Sequence, residues 1–178
     1  RLQGRENVPL NETGRAQARR NGRALYTRLA AAGQSAADYD FVSSPMLRAT
    51  QTMTLLREEM RLAPLAFRQD DRLMELDFGR WSGLYIDDII EHQSDEYAAR
   101  AADRWNHRPP GGESHADALE RVLPFFAALD RPTVIVAHGG INRVTSVLLG
   151  AIDPAGAPDF PAPQDRFFVW SGAGLTWV

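Results

Sequence analysis

Three short segments carry side chains whose type and spacing suit the chemistry of anionic groups. The first is Ser43-Ser44-Pro45-Met46-Leu47-Arg48-Ala49-Thr50. It places Arg48 in the first turn of an expected helix, whose N-terminus already favours negative charge. A guanidinium there can grip a phosphate or carboxylate through two parallel hydrogen bonds, or it can pair with a nearby surface acid. The second is Val136-Ala137-His138-Gly139-Gly140. A histidine at the end of an apolar run, followed by two glycines that let a ligand approach the backbone, is hard to explain by packing. The glycine amides and the helix N-terminus behind them form a seat for an anion. The third segment, Leu73 to Gly83, sets Glu75 and Asp77 among large apolar residues. A carboxyl packed against apolar groups has its pKa raised, which suits a general acid near neutral pH. A charged loop with an aromatic anchor fits the same spacing. The other histidines, His92, His107 and His115, lie in polar sequence and are expected to be exposed. No pair has metal-ligand spacing such as His-Glu-x-x-His, so no metal is expected.

These segments need elements to hold them. Asn11 followed by Glu12 predicts an N-cap, opening a helix to about Ala32 that ends near Gly33. Tyr39 to Ser43 reads as a short strand. Ser44-Pro45 then predicts a helix start, with a capping hydroxyl and proline at the first helical position. Met46, Ala49, Met53, Leu56 and Met60 recur at helical spacing, so that helix buries one stripe. A further extended segment is expected around Leu65 to Phe67. Residues 115 to 129 read as a helix kinked by Pro124. Thr133 to Ala137 is a wholly apolar run, typical of a parallel strand covered on both faces. The helix after it is expected from about Ile141 to Leu149, closed by Gly150. Arg166–Trp170 and Gly174–Val178 look like a strand hairpin. Strands alternating with helices predict an α/β fold, a three-layer sandwich with a mostly parallel central sheet between helices. In such sheets functional residues gather at the carboxyl ends of the strands, where Arg48 and His138 fall.

Composition narrows the chemistry further. The 178 residues fit one domain, 1–178. The absence of Cys excludes disulfides, zinc–thiolate sites and a cysteine nucleophile. All 20 basic residues are Arg, which excludes Schiff-base lysine chemistry and a Walker-loop lysine. A net charge of −3 argues against a general binder of nucleic acid or anionic membranes. The apolar runs fall far short of the ~20 residues of a membrane helix, and no leader pattern is seen; a cytoplasmic protein is expected. The sequence opens on Arg1-Leu2-Gln3-Gly4-Arg5, in what reads as mid-loop, and closes at Val178 within a strand-like run. A fragment of a longer chain is therefore expected.

In order along the chain, five segments together resemble the histidine phosphatase superfamily, the phosphoglycerate mutase-like phosphatases. They are Arg1-Leu2-Gln3-Gly4-Arg5 with Val8 to Gly14, Ser43 to Thr52, Glu75 to Gly83, Pro110-Gly111-Gly112-Glu113-Ser114, and His138-Gly139-Gly140. The resemblance implies catalytic roles for Arg48, His138 and Glu75. Arg48 and His138 would hold the transferring phosphoryl group. Glu75 would protonate the leaving alkoxide and then activate water. It also implies substrate contacts from Gln3, Arg5 and the Gly139 amide, with Glu113 and Ser114 orienting the pocket. The family's nucleophile is a histidine in an Arg-His-Gly motif ending the first strand. That strand is expected upstream of residue 1 and is missing from this sequence. Ser82 stands where many relatives have Glu.

The reaction this implies is hydrolysis of small phosphate esters through a phosphohistidine, by a broad phosphatase-type monoester hydrolase with no cofactor. A cofactor-dependent phosphoglycerate mutase is the alternative, disfavoured by the compact Phe78-Gly79-Arg80-Trp81 segment. A non-catalytic phosphate-ester binding module would follow if the upstream motif were absent. Residues 84–115 are expected to cap the pocket, with Tyr85, Trp105, Asn106, His107 and Arg108 setting specificity. The expected partners are a small phosphorylated substrate or inorganic phosphate, with no nucleic acid or membrane. A homodimer would be the commonest closed assembly.

Overall fold

The computed structural model describes all 178 residues. Helix α1 spans Glu12–Ala31, and the Asn11 side chain accepts from the Gly14 amide at its start, as the sequence predicts. Strand β1 (Asp40–Ser43) leads into helix α2 (Leu47–Glu59), and a two-residue strand β2 (Arg68–Gln69) follows. Two short helices come next, α3 (Ile86–His92) and α4 (Ser94–Ala102), and then α5 (His115–Ala127). Strand β3 (Thr133–Val136), helix α6 (Gly139–Leu148) and the hairpin β4 (Phe168–Ser171) and β5 (Gly174–Trp177) complete the chain.

The strands β2-β1-β3 form a parallel sheet, in which Phe41 lies beside Val134 and Ser43 beside Val136. Alternation along β1 divides the core. Phe41 packs with Leu25, Leu29, Met53, Leu56 and Met60 from α1 and α2. Val42 points the other way, to Leu73, Val122, Phe125, Ile141 and Val144 beneath α5 and α6. Helices thus flank both faces, the expected three layers. β4 and β5 pair antiparallel in a separate two-stranded sheet.

Two local expectations need correction. The helix after β1 starts two residues later than Ser44-Pro45 suggests, with Met46 at its N-cap and no side-chain cap. The Ser44 hydroxyl is engaged by His138 instead, a long-range partner that local pattern cannot show. The extended segment of residues 65–67 moves to Arg68–Gln69, because pairing with Val42 and Ser43 decides which residues form the strand. β3 packs on both faces, Ile135 against the cluster beneath α5 and α6 and Val134 and Val136 against that of α1 and α2, and it is half-buried along its length. α5 runs through Pro124, which lies on its exposed side.

α1 and α2 approach closely at Gly22. A β-carbon there would lie 2.7 Å from the Leu56 carbonyl oxygen and 2.9 Å from its Cα, backbone atoms that cannot swing aside. Gly22→Ala gains up to ~1 kcal/mol in helix propensity but forces the helices apart, so a net loss of about 1–2 kcal/mol is expected in urea denaturation.

Candidate active site

The carboxyl ends of β1 and β3 open onto a long trough of about 3010 Å³, lined by Gln3, Arg48, Glu75, His138, Gly139, Gly140 and Arg143 among others. Arg48 is the second residue of α2, in its first turn. Its Nη1 donates to the Glu6 carbonyl at 2.7 Å and its Nη2 to the Gly4 carbonyl at 2.8 Å. No carboxylate pairs with it directly, so three of its five N–H donors remain for a ligand. The N-terminal loop therefore aims the guanidinium without neutralising it. Burial pulls the Arg48 pKa down, partly opposed by the charges of Glu75 and Glu6.

Glu75 sits where the loop after β2 passes under the start of α6. Its Oε1 accepts from the Leu76 amide at 2.9 Å and its Oε2 from the Gly140 amide at 3.2 Å. A β-carbon on residue 140 would fall 2.2 Å from Leu76 Cδ1 and 2.5 Å from Glu75 Oε1, so only glycine lets the carboxyl approach this closely. The residue is half-buried and lines the trough, and the burial of its carboxyl pushes its pKa up. The two amides, Arg48 and Arg143 pull the other way without prevailing.

His138 ends the loop after β3 and is buried. Its Nε2 lies 2.8 Å from the Ser44 hydroxyl. Burial, with Arg48 and Arg121 adding their positive charge, lowers its pKa to about 3, so the ring is neutral at physiological pH. Arg48, Glu75, His138 and Gly139, with Gln3 at the rim, thus share one cavity: cationic and neutral donors facing a carboxyl whose pKa burial raises.

The other expected site residues, Arg5, Glu113 and Ser114, do not line the trough. Arg5 is not on the trough wall. Its Nε donates to the Glu75 carbonyl at 3.1 Å, and its guanidinium pairs with Asp77 at 3.3 Å and Glu113 at 3.1 Å. Glu113 also accepts from the Asp77 amide at 3.1 Å and from Arg121. This ionic network ties the loop carrying Glu75 to α5. Ser114 is outside it and forms a capping box with Asp117 at the start of α5.

Of the residues expected to set specificity, Trp105 stacks on His115, His107 stacks on Trp81, Arg108 pairs with Asp117, Asn106 bonds to Asp103, and Tyr85 is exposed. None of these five lines the trough. Tyr97 and Arg100 of α4, together with Arg104, line it instead. Their spacing on α4 was the available signal. His115, expected exposed, is buried beneath Trp105 and donates Nδ1–H to the Arg104 carbonyl at 3.1 Å; burial lowers its pKa to about 4.

The family model described as histidine phosphatase superfamily (branch 1) matches residues 1–167. A 2,3-bisphosphoglycerate-dependent phosphoglycerate mutase of Methylobacterium radiotolerans is 32% identical over 158 residues, covering 84% of this chain and 71% of the relative. Its counterpart in Azorhizobium caulinodans is 35% identical over 155 residues, covering 83% and 72%. Among solved structures, the mycobacterial glucosyl-3-phosphoglycerate phosphatase complexed with inorganic phosphate superposes with a TM-score of 0.74 at 30% identity. That match covers all of this chain and 88% of the other. The alpha-ribazole phosphatase of Shigella flexneri shares the fold, with a TM-score of 0.75 at 22% identity over 98% and 85%. No helix is long and apolar enough to cross a membrane.

The two buried histidines make folding pH-dependent. Each has a folded pKa below its usual 6.5, so the unfolded chain takes up protons first as pH falls. Stability from each is complete above about pH 6.5 and is lost downward toward about 4 for His115 and about 3 for His138. His115→Gln should remove about one proton from the unfolding equilibrium. The pH slope of the unfolding free energy between roughly pH 4.5 and 6 should drop by about 1.4 kcal/mol per unit. An unchanged slope would place His115 in solvent.

Proposed function

The chain belongs to the histidine phosphatase superfamily, and from that footing we propose that it is a phosphomonoesterase acting on small phosphate esters through a phosphohistidine. The observation that carries this reading is that Glu75, its pKa raised by burial, lines one cavity with Arg48 and His138. A phosphoryl group seated there meets charged and neutral donors for its oxygens, and Glu75 can reach the ester oxygen. The nucleophile this reading requires is the histidine that the family resemblance implies, acting on the phosphoryl group from beside His138.

The chemistry then closes in two steps. The histidine nitrogen attacks phosphorus as the ester P–O bond breaks, and the leaving alkoxide takes the Glu75 proton. The Glu75 carboxylate next removes a proton from water as the water oxygen attacks phosphorus and the P–N bond breaks. Inorganic phosphate leaves and the neutral carboxyl is restored. The chain works as one domain, with residues 84–115 as a cap that offers Tyr97 and Arg100 to the alcohol part of the ester. The glucosyl-3-phosphoglycerate phosphatase likeness supports an ester whose alcohol carries a carboxylate. The relatives named phosphoglycerate mutase support a second reading, return of the phosphoryl group to a phosphoglycerate. Interconversion of the two monophosphoglycerates without net phosphate release would favour it.

The protein with its upstream strand should release phosphate from an aryl phosphate in the presence of chelator. Absence of turnover, or turnover abolished by chelator, would contradict the proposal. Glu75→Gln should lower kcat about 10²–10⁴-fold for alkyl phosphates and far less for aryl phosphates, whose leaving groups need no proton. Equal losses on both would remove Glu75 from proton transfer.

A further inference from the structure

The Ser44–His138 contact has a direction that the hydrogen-bond inventory fixes. Ser44 is fully buried, and its hydroxyl has two partners: the Met46 amide, which can only donate, at 3.3 Å, and His138 Nε2 at 2.8 Å. If Nε2 carried the proton, the hydroxyl would receive two hydrogen bonds and its own O–H would be buried with no acceptor. If the hydroxyl donates to Nε2 while accepting from the Met46 amide, both the hydroxyl and Nε2 are satisfied. The imidazole proton then resides on Nδ1, which makes no hydrogen bond to the protein, on a ring that lines the trough.

We propose that Ser44 is a positioning residue that holds His138 in its Nδ1–H tautomer, so that Nδ1–H is the donor offered to a phosphoryl oxygen. The claim about phosphate rests on the phosphomonoesterase reading; the tautomer itself does not. Several features of the local sequence serve the arrangement. The backbone turns after β1 so that Ser44 N donates to Val136 O at 2.9 Å, tying the two strand ends together. The Ser43 hydroxyl donates to the Ser44 carbonyl at 2.8 Å and fixes the peptide that carries Ser44. α2 begins only at Leu47, and the Ser44 hydroxyl accepts from the Met46 amide just before it, which leaves its O–H to point at His138. A neutral ring beside Arg48 could otherwise present a lone pair to the phosphoryl oxygens, which would repel them. The hydroxyl prevents this by occupying the lone pair.

Long-range 1H–15N NMR of the histidine-labelled protein at neutral pH, free of ligand, reads the tautomer directly. His138 should show a protonated Nδ1 and an unprotonated, hydrogen-bonded Nε2; a protonated Nε2 would overturn the proposal. In Ser44→Ala the Nε2–H form should appear, and affinity for inorganic phosphate should fall about tenfold, while Ser44→Thr should keep the wild-type tautomer. A Ser44→Ala protein that is folded and retains only Nδ1–H would equally overturn it. Because the spectrum needs no substrate, failed catalysis with the Nδ1–H tautomer defeats only the functional reading. Turnover with the Nε2–H tautomer defeats only this one.

Discussion

The site depends on the enclosure of one carboxyl group. Glu75 accepts from the Leu76 and Gly140 amides, and glycine at 140 is what allows a strand-ending loop and a helix start to close around it. Two amide donors by themselves would favour the charged carboxylate. Desolvation is the larger effect, and it raises the pKa of the carboxyl next to Arg48. An acid in that state can give a proton to a departing oxygen, whereas an exposed glutamate at neutral pH has none to give. The position of Gly140, the start of α6 and the loop after β2 all follow from that enclosure.

Two devices keep the remaining groups in place. Arg5, Asp77, Glu113 and Arg121 form a half-buried ionic network behind the Glu75 loop, and Arg5 holds the Glu75 carbonyl itself. Such a network contributes more through geometry than through net stability, because each ion gives up solvent to join it. On the opposite side, carbonyls of the N-terminal loop orient Arg48 while leaving its charge unopposed at contact distance. The cavity is therefore positive where an anion would sit, and its carboxyl keeps a proton more readily than an exposed one.

The sequence made the layers legible because alternation in β1 and β3 and the helical stripe of α2 are local patterns. The positions of Arg48 and His138 at strand ends were legible for the same reason, and the family motifs pointed to Glu75. What escaped was long-range. Ser44 looks like a helix cap next to Pro45, yet its hydroxyl is taken by a histidine 94 positions away. Arg5 reads as a ligand residue, yet acids 72 and 108 positions away hold it. His115 looked exposed beside polar neighbours, but its burial is decided by Trp105 folding over it. Each of these depends on which distant group arrives, and no local spacing encodes that.

A neutral Glu75 is the claim on which the chemistry turns, and a 13C NMR titration of its carboxyl tests it most directly. The midpoint should lie well above the ordinary 4.5, with the acid still protonated after exposed glutamates have ionised. A midpoint at or below 4.5 would mean that the amides and Arg48 dominate over burial, and it would contradict the assignment of Glu75 as the proton donor.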